Sequence, residues 1–161
     1  MSLRVLDSVC KVIADNYTGI PVEIAEVPQH FKRPCFLVSL ATDSAGLKNI
    51  NVYQENPLVQ IVYFGKRTQA NQVMAESLYK LKEELTALFL LRLAVPILPV
   101  EGKVEKQRFA KIESYTSDLR IGEGALYVKM VLDFTEDVPK TNEYELISVV
   151  DMETTASTVT E

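Results

Sequence analysis

Apolar positions near the start of the chain recur at three- and four-residue steps. Leu3, Leu6, Val9, Cys10, Ile13 and Tyr17 share one stripe of an amphipathic helix over residues 3–17. Ser2 stands where an N-cap belongs, and Gly19 and Pro21 follow as closing residues. The period then shortens to two. Val22 to Val27 alternates and ends at Pro28, which predicts a short edge strand. Cys35 to Leu40 is a continuous apolar run with the length of a buried strand. Pro34 fixes its own φ, lacks a donor and holds Arg33 extended. The polar stretch His30-Phe31-Lys32-Arg33 therefore feeds directly into the sheet.

Thr42-Asp43-Ser44-Ala45-Gly46 predicts a turn. Asn49 to Gln54 and Leu58 to Phe64 are strand-like, either separate or one long strand bent at Pro57. Gly65-Lys66-Arg67 breaks the pattern, and Thr68 opens a predicted helix reaching Leu91. Its buried stripe is Ala70, Met74, Leu78, Leu81, Leu85 and Leu88. Pro96 and Pro99 keep the next segment extended and away from a sheet centre. Residues 103–120 are polar but β-compatible, and Ile121 to Gly124 supplies a turn. Along Ala125 to Thr135, Leu126, Val128, Met130, Leu132 and Phe134 point one way. The two segments predict an antiparallel hairpin whose first strand lies nearer the edge. Beyond Pro139 only Tyr144 to Val150 keeps a strand pattern, and Met152 to Glu161 has the composition of a disordered tail. The order α-β-β-β-α-β-β predicts an α+β domain over residues 1–136, two helices on a mostly antiparallel sheet. Residues 137–161 form an acidic extension, partly disordered or an added strand.

Charge sharpens this division. Of 17 basic and 22 acidic residues, 16 of each lie at or before Glu136. The net charge of −5 belongs to the extension, where six acids face Lys140 alone. A neutral body argues against a dedicated nucleic-acid binder, whose phosphate contacts need a basic face. No run of about 18 apolar residues predicts a membrane span, and no leader pattern opens the chain, so a soluble, non-secreted protein is expected. Cys10 and Cys35 fall in core elements and predict reduced, buried thiols.

The search for chemistry returns little. His30 precedes Cys35 by five residues, but a cysteine opening an apolar strand is hidden and held protonated. One histidine and two cysteines fit no usual zinc spacing. Asp133, Glu136 and Asp137 lack a metal-loop pattern and predict a solvated strand end. Six scattered glycines form no nucleotide cradle. No enzyme activity and no cofactor are expected. The basic pairs Lys32–Arg33 and Lys66–Arg67, the former beside Phe31, have the composition either of solvated loops or of interface anchors. Tyr144, Leu146 and Val149 belong to a strand that packs back on its own sheet or is added to a partner.

The N-terminal helix, Phe31-Lys-Arg-Pro-Cys-Phe, the strand ending Tyr63-Phe64 and the helix after it resemble the tail-terminator family of long-tailed bacteriophages. The Gly-rich turn, Ala125-Leu-Tyr-Val and the strand ending Asp133-Phe134 extend the resemblance over residues 1–136. Departures are Gly65 where proline is expected, Gly122-Glu-Gly in place of Asp-Gly, and a longer tail beyond Pro139. The resemblance implies a structural virion protein that forms a ring, typically six-fold, on the head-proximal end of the tail tube. That ring stops tube polymerisation and docks head-completion proteins, and it is assembled in the host cytoplasm. Implied partners are further copies of the chain, the tail tube protein and a head-completion or stopper protein, with DNA passing through the lumen. A head–tail connector or minor capsid protein is the nearest alternative. A cytosolic enzyme or ligand-binding domain using Cys35 is a more distant one.

Overall fold

The computed structural model describes residues 2–26, 31–100, 102 and 106–138. Helix α1 spans Ser2–Asn16. Val5, Leu6, Val9 and Ile13 are buried, with Cys10 and Tyr17 packed against them. Leu3 is 71% exposed because it sits roughly 200° around the helix from Val5, the residue that actually leads the stripe. Ser8, a polar residue within that stripe, is buried: its hydroxyl donates to the Arg4 carbonyl (2.6 Å) and accepts from the Leu98 N–H (3.0 Å).

The strands are β1 (Val22–Ile24), β2 (Cys35–Thr42), β3 (Ala45–Asn49), β4 (Val52–Glu55) and β5 (Leu58–Phe64). After helix α2 (Ala75–Leu85) and a π-helical turn (Thr86–Leu90) come β6 (Ala94–Ile97), β7 (Arg108–Arg120) and β8 (Ala125–Asp137). All eight join one mixed sheet, antiparallel except where β1 pairs β2. Two long ribbons dominate it. Strands β4 and β5 face β8 in one unbroken register, Glu55 opposite Phe134 and Leu58 opposite Val131. Pro57 keeps its carbonyl in that ladder, accepting the Leu132 N–H at 3.0 Å. Strands β2 and β3 line the other side of β4–β5, with bulges between Leu40 and Thr42 and between Leu47 and Asn49. Residues 35–64 are thus one long hairpin whose return arm is two strands, β4 and β5, interrupted at Asn56–Pro57 but held in one register against β8.

Its turn is displaced from the expected place. Ala45 and Gly46 begin β3, and the turn falls at Ile50–Asn51, within the stretch 49–54 read as a strand. The Asn49 side chain decides this by accepting the Asn51 N–H at 2.8 Å, an Asx turn that replaces the ladder locally.

The second helix is shorter than its pattern. Thr68 and Gln72 close a tight loop through Thr68 N–H to Gln72 O (2.9 Å) and Gln72 N–H to Thr68 Oγ1 (3.1 Å). Asn71 takes a positive φ of 60°, which a helix does not allow. The helix starts only at Ala75, and Ala70 and Met74 of the expected stripe are exposed. Leu78, Leu81, Leu85 and Leu88 are buried as the spacing predicts.

Both helices lie on one face, where Phe36, Val38, Ile61, Leu126, Val128 and Met130 are fully buried. On the opposite face Leu37, Gln60 and Tyr127 remain half-exposed and Lys129 exposed. Strand β6, with Pro96 in it, pairs only β7, which leaves Ser114–Arg120 as an open edge. The first hairpin strand does lie nearer the edge.

Glu55 is the exception in the core. It is 8% exposed and its Oε2 has no hydrogen-bond partner among the described residues. Burial, aided by the charges of Asp43 and Glu136, raises its pKa. The folded state therefore binds its proton more tightly than the unfolded chain. This contribution favours folding below the unfolded pKa of about 4.3 and is lost as pH rises through the folded value. Glu55→Gln is expected to remove that dependence and to raise stability at pH 7 by about 1 kcal/mol. Urea unfolding of both proteins at pH 4 and pH 7 checks this; equal differences at the two values would contradict it.

Candidate functional site

At one end of the sheet Cys35 pairs Phe64 and Phe64 pairs Ala125, so three loops meet there. The stretch before β2 enters through a cis Arg33–Pro34 peptide. The Arg33 guanidinium stands over the rings of Phe31 (5.6 Å) and Phe64 (5.3 Å), which pack at 4.8 Å from each other. Arg33 Nη1 donates to the Glu123 carbonyl at 3.3 Å, and Arg67 Nη2 donates to the same oxygen at 3.2 Å. Arg67 is held from behind by Asn71, whose Oδ1 accepts from its Nη1 at 2.9 Å. Burial first, and then the charge of Arg67, lower the Arg33 pKa. Two cations thus converge on one neutral acceptor. Among the described residues neither has a carboxylate partner.

Two glycines make this convergence possible. Gly124 adopts φ +63°, and a Cβ there would sit 3.0 Å from Val73 Cγ2 and 3.3 Å from Arg33 Nη1. Gly65 donates its N–H to the Gly124 carbonyl at 2.8 Å, a bond that proline at this position would remove. A Cβ on Gly65 would also meet Leu78 at 3.0 Å. The glycine found where the resemblance implied proline is therefore tied to this chain's own turn.

The other basic residues diverge. Lys66 lines a cleft of about 490 Å³ with Ile20, Pro34, Tyr63 and Met74, and Lys32 is exposed. Tyr144, Leu146 and Val149 lie outside the described residues. One neighbour the sequence did not signal is Arg120, 4.4 Å over the Tyr127 ring and bound to Asp118 at 3.0 Å. The Tyr127 hydroxyl in turn donates to Glu123 Oε2 at 3.1 Å.

The opposite end differs chemically. Strand β3 is exposed throughout, and the hairpin tip presents Leu47 (76% exposed) and Ile50 (87% exposed). The chain leaves β8 beside that tip, with the Val138 N–H donated to the Asn51 carbonyl at 2.8 Å. Just inside it, Glu136 is no solvated strand end. Its Oε1 lies 3.4 Å from Arg4 and 3.2 Å from Arg108, and its Oε2 accepts the Tyr53 hydroxyl at 3.1 Å. Asp133 accepts from Gln54 Nε2 at 2.6 Å.

Neither thiol is poised for nucleophilic work. Cys35 is 1% exposed, and burial, reinforced by Glu23 and opposed by Arg33, raises its pKa. Burial and Asp7 push Cys10 up to about 11. Native protein at pH 8 is expected to resist Ellman's reagent over minutes and to release two equivalents in denaturant, counted from its two cysteines. Rapid reaction of a native thiol would reopen a Cys35 mechanism. Among the described residues no His, Cys, Asp or Glu group of three or more is placed to hold a metal, and no helix is long and apolar enough to cross a membrane.

No individual curated protein matches the sequence. The family match is extensive, running eight residues past the span of the resemblance at its C-terminal end. Residues 4–144 match the family model described as phage tail terminator protein, and the chain belongs to that family of structural phage-tail components.

Proposed function

We propose that this protein closes into a ring on the head-proximal end of the tail tube, ends tube polymerisation and offers the docking surface for head-completion proteins. Family membership supports a structural role in the tail. The observation that carries the finer reading is the two-ended sheet. A cyclic ring is held by heterologous contacts, so each subunit needs two different and complementary patches. Here an arginine–aromatic end, with Arg33, Phe31, Phe64 and Arg67, lies at one extreme of the long strands. An exposed hairpin tip and the start of an acidic segment lie at the other. The six-fold closure, the tube protein and a stopper protein as neighbours, and the head-proximal position are carried by the family resemblance. A near-neutral body through Glu136 suits a ring that lets DNA pass without gripping it.

Electron microscopy of particles made without this gene tests the proposal. Tails of unregulated length, unattached to heads, are expected. Filled heads beside separate tails of normal length would overturn it in favour of a connector role. Intact infectious particles would remove the assembly role altogether.

A further inference from the structure

Arg33 and Arg67 are an unusual pair to leave facing one backbone oxygen. Each guanidinium spends one donor on the Glu123 carbonyl and Arg67 a second on Asn71 Oδ1, and the N–H groups left over on the two forks suit a carboxylate. The Glu123 carboxylate is not available to them, because it is engaged by Arg120 (3.4 Å) and the Tyr127 hydroxyl (3.1 Å). The flanking rings of Phe31 and Phe64 add the apolar, partly desolvated wall that strengthens such a contact.

The excess negative charge of this chain lies entirely beyond Glu136, beginning with Asp137, Glu143 and Glu145. Strand β8, 13 residues from Ala125 to Asp137, spans about 40 Å and separates that segment's origin from the arginine pair. Glu145 lies eight residues past Asp137, a reach under about 30 Å even when fully extended. Contact within one molecule would need the segment drawn straight back along the whole of β8, whereas a second copy can present Glu143 and Glu145 to Arg33 and Arg67 without that constraint. We propose that Arg33 and Arg67 form a carboxylate-docking site for the Glu143–Glu145 segment of a second copy of this chain. This rests on the ring reading and deepens it, because the contact is head-to-tail and repeats from copy to copy.

A fluorescein-labelled peptide of residues 139–150, titrated into the full chain, tests the site. Saturable binding is expected, weakened at least tenfold when the peptide carries Glu143→Lys and Glu145→Lys. The Arg67→Glu protein should lose the native peptide and regain the reversed one. Arg67→Gln, which keeps a neutral amide, covers the case in which charge reversal disturbs folding, and should weaken native-peptide binding severalfold. No saturation, equal binding of a polyglutamate peptide, or indifference to either reversal would overturn the proposal. The peptide assay needs no phage particle, so its failure is separate from failure of the tail-termination reading. Charge-dependent binding in a protein whose deletion leaves tails normal would keep the docking site and sink the ring cap.

Discussion

Replacing Glu136 by alanine is expected to cost about 3 kcal/mol of folding stability and about 10 °C in melting temperature. The side chain is only 11% exposed and holds four elements at one point. Arg4 reaches it from α1, Tyr53 from β4 and Arg108 from β7. The arginines are committed elsewhere as well: Arg4 donates to the Leu98 carbonyl, and Arg108 donates to the Thr135 carbonyl and stacks 4.6 Å over Phe134. They cannot swing away to solvent without breaking those contacts. Removing the carboxylate thus takes one shared acceptor from both arginines and from the Tyr53 hydroxyl, and the loss exceeds that of an exposed pair, worth about 0–1 kcal/mol. Arg108 is 33% exposed, which holds the expected loss below that of a fully buried triad. Glu136→Gln keeps an acceptor for Tyr53 and should retain about a third of the lost stability. Chemical denaturation of the three proteins checks this; a loss under about 1 kcal/mol for the alanine variant would show that the cluster is dispensable.

The same cluster shows where sequence reasoning reaches its limit. A period-3.6 pattern locates α1, period-two alternation locates β8, and near-continuous apolar runs locate β2 and β5, because each element packs against a single core. Those patterns are properties of consecutive residues. The pairing of Glu136 with Arg4 is a property of residues 132 apart in sequence, and no local signal carries it. The stretch 68–74 fails for a different reason. Its apolar spacing suits a helix, but the Thr68 hydroxyl accepts the Gln72 N–H and the Asn71 N–H is donated to the Thr68 carbonyl in a turn, and that local competition wins. Asn49 does the same at the hairpin turn. Of the basic residues singled out from composition, Arg33 and Arg67 converge because Gly65 and Gly124 let two loops touch. Lys66 instead lines the cleft beside Ile20, Pro34 and Tyr63, and Lys32 is exposed, a split that composition does not contain.

Truncating Phe36 should have the largest effect of any single core change, about 3–5 kcal/mol for Phe36→Ala. Its ring is fully buried and lies between Tyr17 of the α1 terminus (5.2 Å) and Tyr63 of β5 (4.9 Å). Its N–H is donated to the Pro21 carbonyl at 2.9 Å, which ties the segment leading into β1 to the start of β2. The ring therefore joins the end of the helix to the central ribbon while the main chain ties in the edge strand, and the cavity left by alanine is walled by Tyr17 and Tyr63. Phe36→Leu fills most of that volume and should cost less than half as much. The consequence for function follows from position. Phe36 lies one residue past Cys35 and three past Arg33, on the same strand entry that sets the arginine pair over Glu123. At a temperature where both variants remain folded, Phe36→Ala should also weaken binding of the 139–150 peptide several-fold, whereas Phe36→Leu should leave it within about twofold. Equal peptide affinity in the two variants would mean that the arginine pair is held by Gly65, Gly124 and the Phe31–Phe64 contact alone, independent of the core beneath it.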